Sequence, residues 1–172
     1  MQPTHFWNCG VTSKRVDFSG LLGALSSGGV RFVVTGGLAA GIQGAPVNTF
    51  DVDIVHERST ENVTCLMKVL HELDARIRDL TGRDLLPDPV ALSGPGHHLL
   101  YTRLGALDVL GHIGHDTDYP RLLNESTVLV SHGISCRVQT LESLIRVKEE
   151  VGRPRDLAML PVLRQVLKQS RE

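Results

Sequence analysis

Hydrophobic positions fall into short runs with two distinct periods. From Val16 to Ser27 the apolar residues Val16, Leu21, Leu22 and Leu25 share one helical face, and Gly28-Gly29 ends the run. RFVVT at 31–35 is a β-branched run and predicts a buried strand. Gly36-Gly37 breaks it, and LAAGIQG after it predicts a short helix. From Phe50 to Val55 the pattern alternates. Phe50, Val52 and Ile54 face one side, and Asp51, Asp53 and Val55 the other, which predicts a half-buried strand. Ser59 or Thr60 caps a helix whose apolar positions are Val63, Leu66, Met67, Leu70 and Leu73.

Residues 79–96 are rich in Asp, Gly and Pro and predict a long loop, a lid or an insertion. HLLYTRL (98–104) and ALDVLGHI (106–113) predict two strands around Gly105, followed by a turn over Gly114 to Tyr119. TVLVS (127–131) and ISCRVQ (134–139) predict a hairpin around His132-Gly133. Thr140 caps a helix with Leu141, Leu144 and Ile145 on one face. Gly152 stops it, Pro154 opens a last helix, and Pro161 is expected to kink or interrupt that helix. The order of elements predicts an α+β (mixed α/β) fold: a mixed sheet flanked by helices, with helices at the C-terminal end. Residues 1–15 show no period and are expected to form a loose arm, leaving 16–172 as a single domain.

Composition narrows the function classes. The 172 residues carry a net charge of −1, and 41% are hydrophobic, which fits a globular rather than a disordered chain. Near-neutral charge gives no basic footprint for non-specific nucleic-acid binding, and seven aromatics are too few for a base-stacking platform. Cys9, Cys65 and Cys136 are odd in number and far apart, so neither a disulfide framework nor a CxxC metal site is indicated. Free thiols, a start without a secretion-signal pattern and the lack of a long apolar run lead to the expectation of a cytoplasmic protein with no membrane role.

The chemistry concentrates in FVVTGGLAAGIQGAPVNTFDVDIV (32–55). Residues i and i+2 of a strand share a face, roughly 6.5–7 Å apart, so Asp51 and Asp53 present two carboxylates side by side. Such a pair repels itself, and a divalent cation relieves the repulsion. Oxygen ligands suit Mg²⁺ (or Mn²⁺), which also takes substrate phosphates. Asp108 stands in another apolar strand. If that strand lies beside 50–55, three carboxylates converge, the arrangement that supports in-line nucleotidyl displacement. Gly36-Gly37 lies between a strand and a helix start, where backbone N–H groups receive phosphate. Lys148, on the helix after the hairpin, offers positive charge to a polyphosphate.

These features, in this order, resemble the nucleotidyltransferase superfamily with the polymerase-beta-type fold, and in particular its small bacterial members related to toxin-type nucleotidyltransferases. The resemblance is carried by the glycine pair at 36–37, GAPVNTFDVDIV at 44–55, LDVL at 107–110 and LESLIRVKEEVGRPRDLAML at 141–160, and covers roughly residues 18–165. It implies a transferase that moves an NMP from an NTP such as ATP to a hydroxyl acceptor and releases pyrophosphate. The acceptor could be RNA, a protein or a small molecule, and the toxin-type members add a partner protein of a toxin–antitoxin pair as a candidate. Asp51, Asp53 and Asp108 would be the metal ligands, with Asp108 activating the acceptor hydroxyl. Gly36, Gly37, Thr49 and Lys148 would bind the nucleotide, while Arg153 and Asp156 would fix the terminal helices. The chain departs from the pattern at Gly37, where many relatives have Ser, and at Val47, where many small relatives have a basic residue.

Other readings are weaker. A dinucleotide fingerprint fails because Leu38 stands where G-x-G-x-x-G needs its second glycine. HIGHDTD (112–118) and His97-His98 supply nitrogen and oxygen donors for zinc, but its glycines argue for a turn. No G-x-S-x-G nucleophile elbow is present. The alternative of a different class is a catalytically silent nucleotide-binding or antitoxin-like regulatory module of the same fold.

Overall fold

The computed structural model describes residues 16–171 apart from Gly82, so the arm expected over 1–15 lies outside the described residues. The elements run α1 (Phe18–Ser27), β1 (Phe32–Thr35), α2 (Gly36–Ile42), β2 (Asp51–His56), α3 (Thr60–Glu72), β3 (Arg76–Ile77), α4 (Pro89–Leu92), β4 (His97–Thr102), β5 (Gly105–Leu110), β6 (His112–Ile113), β7 (Thr117–Asp118), α5 (Tyr119–Asn124), β8 (Ser126–Ser131), β9 (Ile134–Gln139), α6 (Leu141–Val151) and α7 (Pro154–Gln169). Seven strands form one mixed sheet in the order β3-β4-β5-β2-β1-β9-β8, while β6 and β7 pair separately. The fold is α+β, as the pattern predicts. β1 and β2 are antiparallel although α2 lies between them, which excludes the βαβ crossover of a dinucleotide-binding unit.

Side-chain alternation divides the central strands into two faces. Phe32, Val34, Val52, Ile54, Leu107, Val109 and Val138 join the main core with α1, α2 and α3. On the other face Val33, Val55, Leu110 and Leu122 form a small second cluster under α5. Further along that same face stand Asp53 and Asp108, directly opposite each other across parallel strands β2 and β5. The aspartates thus sit on the central strands, just beyond the end of an apolar patch.

Caps and turns follow the sequence signals. Ser59 Oγ accepts the Asn62 N–H at the start of α3, Thr140 Oγ1 accepts the Ser143 N–H at the start of α6, and Gly152 ends α6 in the left-handed region. Asn62 is buried and braces the strand ends: its Oδ1 accepts from Arg31 N (2.7 Å), and its Nδ2 donates to Arg31 O (3.0 Å) and Glu57 O (2.7 Å).

Several local expectations are corrected. Phe50 is 76% exposed, because the strand begins only at Asp51, while Val55 is fully buried because α5 covers its face. The strand expected over 106–113 stops at Leu110, and His112–Ile113 turns away to pair with Thr117–Asp118. Asp88 and Asp118 cap two short helices absent from the pattern reading, α4 and α5, each with Pro in its first turn. α7 continues through Pro161 to Gln169 rather than being interrupted. No helix among the described residues is long and apolar enough to cross a membrane.

Candidate active site

One carboxylate oxygen from each of Asp51, Asp53 and Asp108 lies within 4.8 Å of the others. Among the described residues they form the one His/Cys/Asp/Glu group so arranged. Asp51 and Asp53 share a face by the two-residue period of β2, and the pairing of β2 with β5 brings Asp108 opposite Asp53. Thr49 Oγ1 donates to Asp51 Oδ1 (3.0 Å) and fixes that carboxylate. Burial, together with the negative charge of Asp51, pushes the Asp53 carboxyl up to about 6, against the pull of Lys148, Arg78 and Arg155.

The glycine turn is fitted to the aspartates. Gly36 has φ +65°, and a Cβ built there would overlap the Asp53 carboxylate. A Cβ on Gly37 would meet Thr49 Oγ1 at 2.9 Å. Gly36 therefore lets the backbone approach the Asp53 carboxylate, and Gly37 lets it approach the Thr49 side chain.

A cleft of about 980 Å³ opens over this cluster, lined on one side by Gly36 and Gly37 and on the other by α6 and α7. Lys148 lines it, but its Nζ donates to Asp156 Oδ1 (2.7 Å), so its charge is shared with a buried acid. Arg153 Nε donates to Asp156 Oδ2 (2.7 Å), which ties the α6–α7 junction. Burial raises the Asp156 carboxyl, but Lys148 and Arg153 outweigh it and hold the group below its ordinary value. The structure brings Asp51, Asp53, Asp108, Gly36, Gly37 and Lys148 to one cleft. Thr49 supports Asp51 from outside the cleft lining.

Two cleft residues escaped the sequence reading. Arg155, in the first turn of α7, lines the cleft, and among the described residues no carboxylate pairs with it. Arg78, just past β3, forms an ion pair with Asp108. Arg155 stood inside the C-terminal segment already singled out. Nothing in the spacing could have linked Arg78 to Asp108, because the link runs through β3, β4 and β5. The histidines considered for zinc are otherwise engaged. His112 Nδ1 donates to Pro95 O (2.7 Å), His97 Nε2 to His112 O (2.8 Å), and His115 Nδ1 to Glu150 Oε1 (2.9 Å).

No protein-family model matches the chain, and no curated protein matches it in sequence. Solved structures match it in fold. A putative nucleotidyltransferase from Thermotoga maritima is 20% identical over 87% of this chain and 89% of its own, with a TM-score of 0.54. ANT(2'')-Ia in complex with adenylyl-2''-tobramycin is 12% identical over 86% of this chain and 85% of its own, with a TM-score of 0.54. The solution structure of the antibiotic-resistance factor ANT(2'')-Ia is 14% identical over 87% of this chain and 80% of its own, with a TM-score of 0.51. At these identities the likeness is one of fold. The chain shares its fold with these nucleotidyltransferase structures.

Proposed function

We propose that the chain is a metal-dependent nucleotidyltransferase that transfers an NMP from an NTP to a hydroxyl acceptor. The observation that carries this is the convergence of Asp51, Asp53 and Asp108 in the cleft beside Gly36-Gly37. The donor set fits a hard divalent cation: three carboxylates crowd together, and burial and its neighbour's charge raise the Asp53 carboxyl to about 6. Mg²⁺ or Mn²⁺ held there would neutralise charge on the attacking and leaving oxygens.

The chain's own groups supply the rest. Gly36 and Gly37 allow the phosphates to approach the backbone, and Lys148 and Arg155 offer positive charge from the opposite wall. The Asp108 carboxylate takes the proton of the acceptor hydroxyl. The acceptor oxygen forms a bond to the α-phosphorus, the bond to the bridging oxygen breaks, and pyrophosphate leaves with that electron pair. RNA, protein and small-molecule hydroxyls are all open as acceptors. The adenylylated tobramycin bound by ANT(2'')-Ia makes an aminoglycoside worth including among the trials.

The test incubates the protein with Mg²⁺ or Mn²⁺, α-labelled NTPs and acceptors of each class. Transfer that Asp51→Ala abolishes supports the proposal. Nucleotide binding indifferent to divalent cations and to Asp53→Asn refutes it. Metal-dependent binding with no transfer would mark the silent module instead.

A further inference from the structure

We infer that Arg78 is a placeholder for the divalent cation: its guanidinium occupies Asp108 in the metal-free protein and must yield that carboxylate for metal to bind. This rests on the nucleotidyltransferase reading of the aspartate cluster. Arg78 Nη2 packs onto Asp108 Oδ1, on a residue only 9% exposed. Those two atoms and Arg78 Nε are cut off from water and have no hydrogen-bond partner among the described residues, so the pair is held by charge alone. A half-buried guanidinium with two buried, unfilled nitrogens is costly unless it neutralises a charge. The charge available is the carboxylate cluster, where Asp108 stands opposite Asp53 and the arginine also draws the Asp53 carboxyl down. The guanidinium carbon lies 5.5 Å from the centre of the Tyr101 ring, an exposed aromatic that supports the cation from the side. Arg78 immediately precedes the Asp-, Gly- and Pro-rich segment, so its side chain can withdraw without disturbing a central strand.

A cation and a guanidinium drawn to the same carboxylate compete. The energetic signature is opposite to that of an arginine that merely orients a ligand: removing it tightens metal binding. Mn²⁺ titrated into the nucleotide-free full chain at pH 8, followed by the electron paramagnetic resonance of free Mn²⁺, reads this directly. Arg78→Ala is expected to bind Mn²⁺ roughly ten- to a hundredfold more tightly than the parent, the scale on which a neighbouring cation shifts a carboxylate's affinity for a positive ligand. Arg78→Lys, which keeps the charge without the planar fork, should fall between and covers the case in which the alanine variant fails to fold. In an Asp108→Asn background Arg78→Ala should change nothing. Equal or weaker Mn²⁺ binding by Arg78→Ala, or an effect that persists without Asp108, overturns the inference. Mn²⁺-dependent NTP binding by the parent chain reports separately on the nucleotidyltransferase reading. Its loss, with the Arg78 competition intact, would sink that reading alone.

Discussion

Asp53 should make the metal-free protein less stable at neutral pH than a variant without its charge. Its carboxyl is raised to about 6 in the folded chain from an ordinary 3.8. Between those values the folded state holds a proton that the unfolded state has released. Stability therefore falls as pH rises through that window, and the loss is complete above it. A difference of about two units corresponds to about 3 kcal/mol at 1.36 kcal/mol per unit. Asp53→Asn removes the ionisation. In EDTA the variant should match the parent near pH 4 and exceed it by about 3 kcal/mol at pH 8. That corresponds to a melting temperature roughly 6–12 °C higher for a chain of this size. Urea or thermal unfolding at a series of pH values measures the gap. Mg²⁺ at a hundred times its dissociation constant should stabilise the parent by about 2.7 kcal/mol and the variant hardly at all. The reasoning is refuted if Asp53→Asn is no more stable than the parent at pH 8 in EDTA, or if the gap does not depend on pH.

Three further predictions concern the framework of the site. Gly36→Ala places a methyl in a left-handed backbone and against the Asp53 carboxylate. It should cost roughly 1–3 kcal/mol in urea melts and abolish divalent binding by calorimetry. Asn62→Ala removes three hydrogen bonds that brace β1 and β2 to α3, so a loss of about 2–4 kcal/mol is expected, with site chemistry preserved in the folded fraction. Asp156→Asn unpairs Lys148 and Arg153 and should destabilise the chain by about 3 kcal/mol at pH 7. Because the Asp156 carboxyl is held below its ordinary value, that difference should vanish as pH falls through the acid range where the group protonates, which chemical denaturation across pH can follow.

The clustered aspartates were legible because a period-2 strand forces Asp51 and Asp53 onto one face, and because Asp has no place in an apolar strand such as ALDVL without a partner. The glycine pair announced a close backbone approach, though not that the group approaching is the Asp53 carboxylate. Arg78 was illegible because its strand has two residues, and no period can be read from two residues. Phe50 misled because alternation marks a face but not where a strand begins. α5 was missed because six residues with Pro in the first turn carry no helical repeat, yet it decides that Val55 is buried. Lys148 was expected to face a polyphosphate. Only the fold reveals Asp156 beside it.

The overlap between a Cβ at position 36 and the Asp53 carboxylate has an evolutionary consequence. The two positions share a single volume, so position 36 cannot gain a side chain while Asp53 stays as it is. Losing the acid would clear the space but not the left-handed backbone at φ +65°, so enlarging the glycine demands a change in the turn as well. Among homologous chains, a side chain at 36 should therefore travel with a lost acid at 53 and a reshaped turn, a pairing readable from sequence alone.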